Sequence, residues 1–172
     1  QDHPLRDLDS IEIRFMTAKD EDILTSPNLI KKGIVLNRLI QSLIIDKSVR
    51  VEDILLGDKN AILIQARISG YGPWYEATVE CPSCGSKQAE EFNLEDCTVV
   101  EEGKTDLQNV TFLENGNISV KLPNTKLDCE LKLLSGLEEK EIIKTLGTPD
   151  GPEGLLGLQM RLTIKSVNNH TE

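Results

Sequence analysis

The spacing of apolar residues changes at residue 70, and that change sets the fold class. From Ile34 to Lys47, Leu36, Leu39, Ile40, Leu43 and Ile44 recur at the i, i+3, i+4, i+7, i+8 spacing of one helical face, with Asn37, Arg38, Gln41 and Ser42 opposite. After GYGP at 70–73, Tyr75, Ala77 and Val79 alternate with Glu76, Thr78 and Glu80, the two-residue period of a strand. The chain therefore reads as α+β. A helical subdomain covers 11–72, and a β-rich subdomain over 73–167 carries one or two helices and a CPxCG zinc-knuckle-like turn in its first hairpin. The two stretches are also compatible with one continuous domain.

Within the first half, Ile11, Ile13 and Phe15 alternate with Glu12 and Arg14 and predict a half-buried strand. Thr17 followed by Asp20 resembles a capping box opening a short helix through Leu24, and Ser26-Pro27 opens another that Gly33 ends. Val51 to Leu55 predicts one turn. Gly57 then interrupts, Asp58 caps a helix to Ser69, and Gly70 stops it. The core of that helix, NAILIQARI, is apolar on more than one side, so it is expected to be the central buried helix.

Beyond the first hairpin, Asn115-Gly116 between two β-branched runs predicts a second one. Leu127, Cys129, Leu131 and Leu133 form the oily face of a further strand. Ser135 with Glu138 caps an amphipathic helix that Gly147 closes, and the loop GTPDGPEG follows. Leu155 to Leu162 reads as helix, with Thr163 to Val167 extending it or turning to strand.

Nineteen basic against 29 acidic residues give a formal charge of −10, a field that repels the phosphate backbone and disfavours nucleic-acid partners. Aromatic residues are only 3%, so Leu and Ile must fill most of the interior. The longest apolar runs, at 43–45 and 61–64, fall far short of the roughly 20 residues needed to cross a bilayer, so no membrane role is expected. The N-terminal QDHPLRDLDS carries no secretion signal. Four unevenly spaced cysteines suit reduced thiols or a metal in cytosol better than a disulfide scaffold.

In Cys81-Pro82-Ser83-Cys84-Gly85 the two-residue spacer can bring both sulfurs to one metal, and Gly85 permits the left-handed turn a zinc knuckle uses. The strand before it and a returning strand from Ser86 would complete a hairpin. An unmetallated turn is the plain alternative. A redox reading needs the pair at a helix start, and Glu80, Glu90 and Glu91 are expected to raise a thiol pKa. A zinc ion takes four ligands, for which Cys97 and Cys129 are the remaining candidates; a buried free thiol is the commoner role for Cys129. His3 and His170 lie in polar ends and read as solvated. No G-x-S-x-G, H-E-x-x-H or phosphate-cradling glycine loop occurs, and Asp20-Glu21-Asp22 and Glu138-Glu139 fit helix first turns, so no catalytic residues are assigned.

MTAKDEDILTSPNLIKKG at 16–33, LNRLIQSLI at 36–44, DKSVRVEDILLGDKNAILIQARISGYG at 46–72 and VECPSCG at 79–85 together resemble the baseplate hub proteins of T-even-type contractile-tailed phages. The resemblance spans 11–92 and continues more weakly through KLLSGLEEKEI and LQMRLTIKSV. It implies a non-enzymatic protein of the host cytoplasm that helps build the tail baseplate through contacts with other phage tail and baseplate proteins. Such a protein either stays in the virion or leaves as a tail-assembly chaperone; self-association remains open. A zinc-ribbon interaction or nucleic-acid adaptor and an oxidoreductase are the rival classes. The family resembled continues past this chain's end and carries a second C-P-x-C motif. Either this chain stops before that pair, leaving Cys81 and Cys84 as half a clamp, or Cys97 and Cys129 have taken its place.

Overall fold

The computed structural model describes residues 5, 8, 10–98, 109–146 and 151–170, and only the backbone of 151–153. Helix α1 (Ala18–Leu24) starts where the capping box predicts, with the Asp20 carboxylate accepting from both the N–H and the hydroxyl of Thr17 at 2.8 Å. The same carboxylate takes two hydrogen bonds from Arg14, at 2.7 and 2.8 Å, and one from the Ser42 hydroxyl at 2.7 Å. A buried charge is tolerated here because every approach to it is a donor. Helix α2 (Pro27–Lys31) has proline in its first turn, and Gly33 at φ 66° ends it as expected.

Helix α3 (Val35–Leu43) buries Leu39, Ile40 and Leu43, but Leu36, placed on the same apolar face by spacing, is exposed. The expected strand over 11–15 reduces to an isolated bridge between Ile13 and Ile44. Arg14 N–H donates to the Leu43 carbonyl and Ile45 N–H to Glu12. Its one bridge among the described residues is to the end of α3, so this segment joins no sheet; Ile11 and Ile13 pack on the core while Phe15 is left in solvent.

A single 3-10 turn, Val51–Asp53, leads into α4 (Leu56–Tyr71). This helix corrects the sequence boundaries at both ends. Gly57 and Asp58 lie inside its first turn, because Leu56 N–H is fixed to the Leu134 carbonyl and Leu55 bridges Ser135. At the other end the chain leaves the helix at Gly72, φ 84°, rather than at Gly70. Nor is α4 buried all round: Lys59, Ile62 and Ala66 form one covered stripe. The core lies between α3, the 3-10 turn and this stripe, in Ile40, Ile44, Val49, Val51, Ile54 and Ile62, with Leu39, Leu43 and Ala66 beside it.

Strands β1 (Trp74–Glu80) and β2 (Lys87–Asn93) form a two-stranded antiparallel ribbon, as expected from the alternation. A second antiparallel sheet has the order β3-β4-β5-β6, from β3 (Val110–Phe112), β4 (Ile118–Lys121), β5 (Asp128–Leu131) and β6 (Ile164–Val167). Gly116 at φ 79° makes the turn between β3 and β4, so the Asn-Gly signal is read correctly. Cys129 is buried in β5, whereas Leu133, expected on its oily face, lies beyond the strand and is exposed.

Helix α5 (Gly136–Leu146) opens on the expected capping box, with Glu138 accepting from the N–H and hydroxyl of Ser135. Helix α6 (Gly151–Thr163) starts inside the stretch expected to be loop and passes directly into β6, which settles 164–167 as strand. Gly147, read as the stop of α5, and His3 lie outside the described residues. The two halves are tied by the Leu55–Ser135 bridge, by Gly136 N–H on the Ile54 carbonyl, and by a Lys59–Glu139 ion pair from α4 to α5. Among the described residues no helix is long and apolar enough to cross a membrane.

Candidate functional site

The cysteine turn forms the tip of the β1–β2 ribbon. Cys81 N–H donates to the Ser86 carbonyl at 2.9 Å and Gly85 N–H to the Cys81 carbonyl at 2.8 Å, which folds 81–86 into a compact corner. Gly85 adopts φ 69°, and a Cβ there would meet nothing closer than Glu80 Oε1 at 3.9 Å, an ordinary contact, so conformation and not crowding calls for glycine. Below the tip Lys87 faces Glu80 at 3.6 Å.

The two thiols lie together, with Cys81 half-buried and Cys84 exposed. Hydrogen bonding from the Ser86 hydroxyl, 3.1 Å from Cys84 Sγ, then from the Ser86 N–H and the Cys81 thiol, lowers the Cys84 pKa below its ordinary value. This reverses the expectation that acidic neighbours would raise it. Glu90 and Glu91 pair with Ala77 and Glu76, several rungs down the ribbon from the sulfurs, so donors within the turn dominate. The turn opens onto a strand, so no helix dipole acts on the thiols.

Cys97 follows a 3-10 turn at the opposite end of β2, a seven-residue strand that puts it on the order of 20 Å from the tip. Cys129 sits in the other sheet. The fold thus brings Cys81 and Cys84 together and leaves Cys97 and Cys129 apart from them. Among the described residues no three His, Cys, Asp or Glu side chains gather as a metal-binding group. In donor chemistry the knuckle fits two of the four positions of a structural zinc site. His170 sits in a backbone turn with Val167.

The base of the ribbon is built from residues that spacing and motif reading did not single out. Arg67, on α4, donates to the carbonyls of Gly72 and Trp74 at 3.0 and 3.1 Å, and its guanidinium lies 5.0 Å from the Tyr71 ring centre and 5.9 Å from that of Tyr75. One cation therefore fixes the helix exit and the first strand together. Leu94 N–H on the Pro73 carbonyl, 2.9 Å, closes the other side. The Tyr71 hydroxyl reaches Glu21 of α1 at 3.3 Å. The only sequence sign of this cluster is the i, i+4 step from Arg67 to Tyr71.

Along β1 and β2 only Ala77 and Asn93 are half-buried; every other residue is exposed. All six aromatic residues of the chain are exposed, and four of them, Tyr71, Trp74, Tyr75 and Phe92, surround the ribbon base. Large apolar rings left in water at one place mark a contact surface more often than a packing error.

Comparison with protein families matches residues 4–146 to the family described as T4 bacteriophage base plate protein. Comparisons with curated proteins and with solved structures each found no match. The matched stretch contains all four helices of the first half, the ribbon with its cysteine turn, and the chain through α5. Covering most of its length, this match means that the chain belongs to the T4 bacteriophage base plate protein family.

Proposed function

We propose that this phage baseplate protein is a structural hub component that acts by holding other baseplate proteins and catalyses no reaction. It would do so in the host cytoplasm during assembly and then in the virion tail. The observation that carries the reading is the exposure of every aromatic side chain, four of them around the base of a ribbon exposed along most of its length. Tyrosine and tryptophan are the residues that most often anchor protein contacts. The charge of −10 disfavours the nucleic-acid adaptor.

Cys81 and Cys84 would hold a structural zinc as two of its four ligands, the other two coming from outside the described residues or from a partner. The metal, when bound, supplies cross-linking of the tip and no bond-making chemistry. The chain's own contribution is the Ser86 donor that favours a thiolate at Cys84 and the Gly85 turn that keeps both sulfurs on one side.

Quantitative mass spectrometry of purified virions and of tail-assembly intermediates tests the proposal. A hub component is expected at a fixed ratio to other baseplate proteins in both. Presence in intermediates alone would replace this reading with an assembly chaperone. Absence from both would remove it.

A further inference from the structure

The two faces of the ribbon are unequal. On one, Tyr75 lies opposite Phe92, and Arg67 of α4 reaches over the Tyr75 ring, so this face leans at its base on the helical body. The other carries Trp74 opposite Asn93, then Glu76 opposite Glu91, Thr78 opposite Ala89, and Glu80 opposite Lys87. Glu80 has its lysine, and Glu90, on the first face, accepts from Gln88 at 2.7 Å. The carboxylates of Glu76 and Glu91 have no hydrogen-bonding or ionic partner among the described residues. Like charges directly opposite across a strand pair destabilise it. A two-stranded ribbon is marginal to begin with, so this rung is a poor choice for holding the hairpin together.

The same rung makes sense if a cation from elsewhere sits between the two carboxylates. Trp74, 56% exposed and one rung away on the same side, supplies an apolar anchor next to it. A second copy is a poor occupant, since it would bring its own acidic surface, part of a chain of net charge −10, against the acidic rung.

Resting on the hub reading above, we propose that the Trp74–Glu76–Glu91 face docks a basic surface of another baseplate protein, burying the indole and setting an arginine or lysine between the two carboxylates. The lone tryptophan and the unpaired rung form one continuous patch, which fits an anchor flanked by a charge clamp.

Glu76→Lys separates a docking role from a structural one. The new lysine faces Glu91 and pairs with it, so the ribbon itself should become more resistant to hydrogen exchange. Docking should become weaker. Variant chains are supplied in trans to a phage lacking the wild-type chain, and their amount in purified baseplates is measured. Incorporation of Glu76→Lys and of Trp74→Ala is expected to fall about ten-fold or more, with Glu141→Lys on the outer side of α5 remaining near wild type. Suppressors of Glu76→Lys should be lysine- or arginine-to-acid changes in another baseplate protein. Incorporation of both variants at wild-type level, or suppressors confined to this chain, would overturn the proposal. A wild-type chain missing from baseplates would remove the hub reading and this inference with it, an outcome distinct from normal wild-type and variant incorporation.

Discussion

Asp20 illustrates how a single residue organises the helical half. Its side chain is 1% exposed and receives five hydrogen bonds, from Arg14 twice, Thr17 twice and Ser42. Those donors come from the segment before α1, from its cap and from α3, so one carboxylate fixes three pieces of chain. Truncating one partner of such a pair costs more than the pair is worth against an apolar replacement, because the other charge loses its partner. Asp20→Ala is expected to lower unfolding free energy by about 3 kcal/mol in urea titration; a loss below about 0.5 kcal/mol, the range of ordinary surface changes, would contradict that role. Arg14 first, with Ser42 and Thr17, holds the Asp20 carboxyl well below its usual range. At Glu138 burial alone would raise the pKa, but Lys132 at 2.6 Å and the Ser135 donors outweigh it and bring it from 4.5 to about 2. Both groups are more acidic folded than unfolded, so their stabilisation is complete above about pH 4.5 and is lost as pH falls toward 2. Urea midpoints at neutral pH and near pH 3 should therefore diverge strongly in wild type. Glu138→Gln should cost about 2 kcal/mol at neutral pH and narrow that divergence.

Among the elements, the capped starts of α1 and α5, the Asn-Gly hairpin and the ribbon were legible because each is fixed by residues a few positions apart. The start of α4 was not, since its first N–H is placed by Leu134, far along the chain, and local rules see only Gly57 and Asp58. Tyr75 and Val79 read correctly as one side of a strand, whereas Phe15 read wrongly as part of a half-buried one, because alternation marks which residues share a face without saying whether anything covers it. The pairing of Cys81 with Cys84 was legible from the spacer; Ser86 as the thiol's donor was not, because it needs the turn geometry. Replacing both cysteines by serine, or chelating metal from the isolated chain, is expected to raise amide exchange across 75–92 while leaving helical circular dichroism from α3 and α4 intact, since a structural zinc can contribute on the order of 10 kcal/mol to a small site. Equal loss of helix signal would show that the ribbon is not separable from the body. Gly136→Ala tests the other junction. A Cβ there would stand 2.8 Å from the Val51 carbonyl and 3.0 Å from Glu52 Cα, backbone atoms that cannot rotate away. A loss of about 1–3 kcal/mol in urea titration is expected.

Across the whole molecule, a core of aliphatic side chains sits between α3 and α4, and the aromatic residues lie outside it, most of them about the ribbon that follows α4. Core and proposed contact surface therefore use different residue types. That division accounts for the low aromatic content without weakening the core, because Ile and Leu fill it, and it leaves tyrosine and tryptophan where a partner can cover them. On the proposed function, the helical body presents residues 74–93 to other baseplate proteins. Hydrogen exchange read by mass spectrometry, on the free chain and on the same chain inside purified baseplates, measures this directly. Exchange over 74–93 is expected to slow about ten-fold or more on going from the free chain to the baseplate, with 35–71 nearly unchanged. Equal exchange of the ribbon in both states would contradict it.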